Sequence, residues 1–209
     1  MIDAPHQQQI FDVSVGRRIV DIHVWAVREG LRGTEPTALI AGLCQRLIDA
    51  GVPVWRAWAG ARTLHPQWAG YSYTWRRDGG GVGPTRFPRG DHYEQIVADS
   101  VFRDLRTKAP DPDPWVSLRR RLVGSEARLD FPILAELAAD GATDYFAELV
   151  RPGIEETSGV GGVAYSFATD RVGGFSDDDI ATLRAVLPVV SLALRAYAGR
   201  AIAAGLLAA

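Results

Sequence analysis

The sequence predicts an α+β domain, a mostly antiparallel central sheet flanked by helices. Segments whose apolar residues recur every three or four positions are interspersed with segments that alternate apolar and polar. The order is two helices, two strands, a long connection, a strand, a helix, two strands and a helix. Strands joined by short links pair antiparallel, which places helices on one side of the sheet and loops across the other. At 209 residues and 47% hydrophobic, the chain can bury one core with helical extensions and is too short for two comfortable domains. The division expected is an arm over 1–16, a domain over 17–175 and a terminal helix over 176–209.

The arm is polar, with Gln7, Gln8 and Gln9 and no periodicity. From Arg17 to Leu31, Val20, Val24, Val27 and Leu31 share one helical face, and Ile19, Ile22 and Trp25 extend the apolar surface to a second side. Such a helix needs two neighbours, and a second copy of the chain is one candidate. Gly33 breaks the chain, and Pro36 suits the first turn of a helix that runs to Ala50, with Leu39, Ile40, Leu43 and Leu47 buried and Gly51 and Pro53 ending it. Strands follow over 54–65 and 70–77, the second placing Tyr71, Tyr73 and Trp75 on one face. Residues 78–90, with five glycines and two prolines, read as a loop, and Gly79, Gly80 and Gly81 lack the Gly-Lys-Ser/Thr of a phosphate loop. A short helix over 100–108, a strand over 115–123, a helix over 131–139 and strands over 143–151 and 160–169 complete the domain.

At the last helix Ser176 offers a hydroxyl to free backbone N–H groups, and Asp177, Asp178 and Asp179 place negative charge where the helix dipole favours it. Ile180, Leu183, Leu187, Val190, Leu194, Tyr197 and Ala201 then recur at steps of three and four, a heptad stripe suited to pairing with a second copy in parallel. The stripe continues to Leu206, Leu207 and Ala209 without a basic last turn or polar tail, so the helix is expected to lead into a further domain.

The net charge of -2 gives no reason to expect nucleic acid or an anionic membrane as partner. No signal peptide or uninterrupted apolar span is seen, and the single cysteine, Cys44, excludes a disulfide framework, so a reduced, cytoplasmic setting is expected. Cys44 lies beside the stripe of the second helix and reads as a small buried hydrophobe. Six tryptophans, five of them before residue 80, imply an aromatic core or a lined pocket.

The run from Tyr165 to Ile180, in which a strand ends in Gly-Gly-Phe-Ser and passes into a long helix, resembles the closing section of GAF-type sensor domains. Pro53-Val-Trp-Arg-Ala57, Arg62-Thr-Leu-His-Pro66 and the run from Phe131 to Tyr145 resemble the N-terminal region of bacterial class III adenylate/guanylate cyclases, where a GAF-like domain precedes the catalytic one. The resemblance spans about residues 17–209. It implies a regulatory module whose last helix continues into a cyclase domain that works as a dimer and holds the Mg ions. Nothing in the chain resembles that catalytic part, so no cofactor is expected here. Asp177, Asp178 and Asp179 point in different directions from a helix start and make a poor two-metal site. Bilin attachment and methionine sulfoxide reduction, found among GAF-like proteins, need cysteines this chain lacks.

The candidate ligand residues are Trp55, His65, Tyr73, Trp75 and His92. His65, at a strand end, and His92, after the glycine-rich segment, are candidates for a ligand contact or an axial haem ligand, although a surface or capping histidine is the simpler reading. Trp55, Tyr71, Tyr73 and Trp75 are candidates to stack on a planar ligand, against plain core packing. Arg119, Arg120 and Arg121 are a candidate anion site, with alternation sending the middle one to the opposite face. Three functions compete: a sensor and dimerisation module of a cyclase, a ligandless dimerisation scaffold, and a free-standing enzyme or ligand-binding protein using His65 or His92.

Overall fold

The computed structural model describes residues 13–63, 68–79, 82–90, 99–108, 115–151 and 160–207. Helices α1 (Val13–Arg32) and α2 (Pro36–Asp49) precede strands β1 (Arg56–Thr63), β2 (Trp68–Arg76) and β3 (Gly83–Pro88). Then come α3 (Val101–Lys108), β4 (Trp115–Arg121), α4 (Pro132–Ala139), β5 (Asp144–Val150), β6 (Val160–Thr169) and α5 (Asp177–Leu207). The strands form one six-stranded sheet in the order β3-β2-β1-β6-β5-β4, each neighbouring pair antiparallel. The first and last strands meet at its centre. The fold is therefore α+β, a central antiparallel sheet flanked by helices.

Alternation along the strands divides the interior into two cores. On the first face Val163, Tyr165 and Phe167 of β6, Ala57 and Ala59 of β1 and Phe146 of β5 meet α1, α2 and α5. On the second face Ala164 and Ala168 of β6 and Tyr145, Ala147 and Leu149 of β5 meet Val101 and Leu105 of α3 and Leu134 and Leu137 of α4. The second face thus carries two short helices, where the sequence suggested crossing loops alone.

The stripe of α5 lies inside this fold. Ile180 is 6% exposed and Leu183, Leu187 and Val190 are 0% exposed, all in the core shared with α1, α2 and the sheet. Leu194 packs partly buried on the same core, and the Tyr197 hydroxyl donates to Glu35 at 2.7 Å. The side chain of Ala201 lies outside the described residues. The expected parallel dimer seam is therefore corrected through Val190 to a core surface, because the period of three and four marks an apolar face without saying what covers it. Asp177–Arg200 is long and apolar enough to cross a membrane, yet half of that stretch is buried within the fold.

Helices α1 and α5 run side by side in the same direction. His23 Nε2 donates to the Ala185 carbonyl at 2.8 Å, a Cβ at Gly30 would come within 3.1 Å of Ala193, and Arg200 reaches the Gly30 and Leu31 carbonyls at 3.0 Å. Pro188 sits inside α5 and lacks the N–H that would return to Arg184, an interruption the stripe conceals. On α1 the buried residues are Ile19, Ile22 and Ala26, whereas Val20, Val24, Val27 and Leu31 are 57%, 44%, 50% and 74% exposed. α1 begins at Val13, ahead of the expected Arg17. β3 lies within the stretch read as a loop: its sequence, GPTRFP, has almost no apolar alternation, and β2 recruits it to the sheet edge by backbone pairing, where proline is tolerated.

Candidate functional site

The second face of the sheet is laid out in rows by the strand register. One row reads Arg76, Arg56, Ala168, Tyr145 and Arg120 across β2, β1, β6, β5 and β4. The next reads Thr74, Trp58, Ser166, Ala147 and Leu118. Since successive residues of a strand point to opposite faces, residues two apart share a side. The first row accordingly brings three arginines and a tyrosine to one end of an otherwise apolar face.

Two of the arginines are neutralised. Arg76 donates to Asp140, just after α4, at 3.1 Å, and its guanidinium lies 5.4 Å from the centre of the Trp55 ring. Trp55 in turn donates its indole N–H to Asp78 at 2.9 Å. Arg120 grips Asp130 through Nε and Nη2 at 2.9–3.1 Å, and that bond holds the Asp130 carboxyl below its ordinary range. Arg56 differs: no hydrogen bond or ion pair to its side chain occurs among the described residues, where its buried Nε meets no acceptor. Burial, followed by the like charge of Arg76, lowers its proton affinity. Tyr145 is 2% exposed; burial pushes its hydroxyl up to about 12, with a hydrogen bond to Ser166 and the charge of Arg56 pulling the other way.

Beyond this polar end the face is sealed by aromatics. The Trp58 indole folds over Gly60, where a Cβ would meet the ring at 2.3 Å, so glycine is required there for packing. Trp58 stacks on Phe102 of α3 with ring centres 5.1 Å apart and planes at 21°. Between α3 and the segment leading into α4 lies an open cleft of about 430 Å³, lined by Asp99, Ser100, Arg103, Asp104, Thr107 and Asp130 among others. Among the described residues no group of three or more His, Cys, Asp or Glu is placed to hold a metal.

At the same end of β5 but on the first face, Asp144, 0% exposed, ties the sheet to the start of α5. It accepts from Arg119 Nε and Nη2 at 3.1 and 2.8 Å, from Arg121 at 3.2 Å and from the Phe175 N–H at 3.0 Å. Arg119 also donates to the Phe175 carbonyl and Arg121 to that of Gly173. A Cβ at Gly174, whose φ is +75°, would fall 2.5 Å from Asp144 Oδ2, so glycine serves both the turn and the contact. Ser176 and Asp179 cap α5 reciprocally, Asp179 N–H to Ser176 Oγ at 3.1 Å and Ser176 N–H to Asp179 Oδ2 at 2.7 Å.

The sequence-predicted site residues do not converge. Trp55 belongs to the second-face core, whereas Tyr73 and Trp75 face the helices of the first, because odd-numbered positions of β2 point that way. His65 and His92 lie outside the described residues. Arg119 and Arg121 are occupied by Asp144 and main-chain carbonyls, which removes them as an open anion site, while Arg120 does point to the other face. Cys44 is fully buried and burial pushes its thiol up, as expected of a core residue. Arg56 was missed: one arginine in a strand carries no motif, and that its side chain meets no partner among the described residues emerges only in the folded chain.

No family model matches the sequence, and no curated protein does. Solved structures similar in fold include three, each at 13% identity. The GAF domain of a two-component sensor histidine kinase from Bacillus halodurans matches over 81% of this chain and 98% of its own, with a TM-score of 0.45. An N-acylhomoserine-lactone-dependent LuxR-family transcription factor from Burkholderia cenocepacia matches over 86% and 95%, at 0.44. The phycoerythrobilin-bound GAF domain of a cyanobacterial phytochrome matches over 90% and 96%, at 0.46.

Proposed function

We propose that this chain is a cytoplasmic, GAF-like regulatory domain that passes the state of its second sheet face to an attached nucleotide cyclase through α5. The observation that carries the reading is the Asp144 clasp. Asp144 and Tyr145 are consecutive residues of β5, one holding the start of α5 and the other facing the second core. A ligand that shifts β5 therefore acts on the root of a helix of 31 residues. Signalling requires only that the ligand bind two placements of that helix with different affinity. The chain itself contributes no chemistry and takes no nucleic acid or membrane as partner. It works as a homodimer, with the exposed Val20, Val24, Val27 and Leu31 of α1 as the contact, since the α5 stripe is used internally.

A thermal-shift panel of nucleotides, haem and small metabolites tests the sensing role, because a ligand selective for the folded state raises the melting temperature. A panel with no response favours the second reading, a ligandless dimerisation scaffold, for which the close filling of the second core speaks. In ultracentrifugation the parent chain is expected as a dimer, and the double variant Val24→Asp, Val27→Asp as a folded monomer. A parent chain that stays monomeric at every concentration sinks the dimer in both readings.

A further inference from the structure

We propose that Arg56 anchors the carboxylate or phosphate group of a small ligand at the arginine end of the second sheet face, beside the C-terminus of α4. The inference deepens the sensor reading by naming the ligand class. Three guanidinium groups occupy one row across the sheet, at Arg76, Arg56 and Arg120, and among the described residues the outer two hold carboxylates while Arg56 holds none. The buried Nε donor of Arg56 meets no acceptor among the described residues. A buried, unsatisfied donor on a charged group costs stability, and an oxyanion satisfies both the charge and the donors. The residue as a whole is neither sealed in nor fully exposed.

The charges around Arg56 are Arg76 on β2 and Glu136 and Asp140 at α4, with the Tyr145 hydroxyl on β5. Asp140 is committed to Arg76. Glu136 is exposed and makes no side-chain hydrogen bond among the described residues, so it acts on Arg56 as a field and competes with an incoming anion. The Tyr145–Ser166 hydroxyl pair is a neutral neighbour.

The test titrates the full chain with sodium phosphate and, separately, sodium acetate, with chloride holding ionic strength constant, and follows melting temperature and calorimetric heat. Saturable binding of at least one anion in the millimolar range is expected, and the stronger of the two identifies a phosphate or a carboxylate ligand. Arg56→Gln should weaken that binding at least tenfold, about the loss of one charge-assisted contact. Glu136→Gln should tighten it, and Arg120→Gln, which removes a paired charge from the same row, should leave it unchanged. Without added anion, Arg56→Gln should fold at least as stably as the parent. Binding of neither anion, equal binding by Arg56→Gln, or a clear loss of its stability in chloride overturns the proposal. If metabolites without an acidic group raise the melting temperature while phosphate and acetate do not bind, the ligand class fails and the sensor reading stands. If the anions bind at Arg56 but never alter an attached cyclase, the reverse holds.

Discussion

Asp144 shows how one side chain organises its surroundings. A carboxylate at 0% exposure is sustained only by full compensation, here two guanidinium groups and two main-chain N–H donors, those of Tyr145 and Phe175. Asp144→Ala strands Arg119 and Arg121 together with the Phe175 N–H, and should cost about 3–5 kcal/mol in urea unfolding. A loss below about 1 kcal/mol would mean that water replaces the carboxylate at little cost. At this scale the sequence spoke unevenly. The Ser176 and Asp179 cap was legible, because capping needs particular residue types at a fixed spacing. The opposite orientations of Arg119 and Arg120 were legible too, since strand alternation is local. Asp144 and Arg56 were not, because a partner 31 residues away, or the lack of one, is set by the register of strands rather than by any nearby pattern.

Among the elements, α5 joins sequence pattern to packing most directly. Its apolar period told correctly that one side is covered and misassigned the cover, since Leu183 and Leu187 meet the sheet and α1 rather than a second α5. Leu187→Ala should therefore destabilise the single chain by about 2–5 kcal/mol through the cavity it leaves. The loss should be equal in dilute and concentrated samples under urea; a loss that shrinks on dilution would restore a dimer seam on this face. The same ambiguity explains α1, whose valines were recognised as a face while their exposure was beyond what periodicity encodes. β3 was invisible for a different reason: an edge strand with two prolines is held by the backbone of β2, and its side chains contribute little to the choice.

For the molecule as a whole, two cores back to back make the sheet the shared wall, and buried hydroxyls and a thiol within them set its tolerance to alkali. Tyr145 is pushed up to about 12 by burial, and Tyr165 and Cys44 are shifted in the same direction by the same cause. Each is neutral when folded and ionises more readily when unfolded, so the stability conferred is complete below the ordinary values, 9.0 for the thiol and 10.0 for the tyrosines, and is lost as pH rises above them, for Tyr145 up to about 12. The urea midpoint should hold at about pH 8 and fall clearly by about pH 11, with Tyr145→Phe reducing the drop. A flat profile across that range would contradict the burial of these groups.

Pro188 gives the terminal helix a fulcrum. The rung missing there lies within the core, with Leu187 before it and Val190 after it both fully buried, and only farther out does the helix lean on α1 and Glu35. With that tie absent, side-chain packing rather than the backbone ladder keeps the two halves of the rod in line.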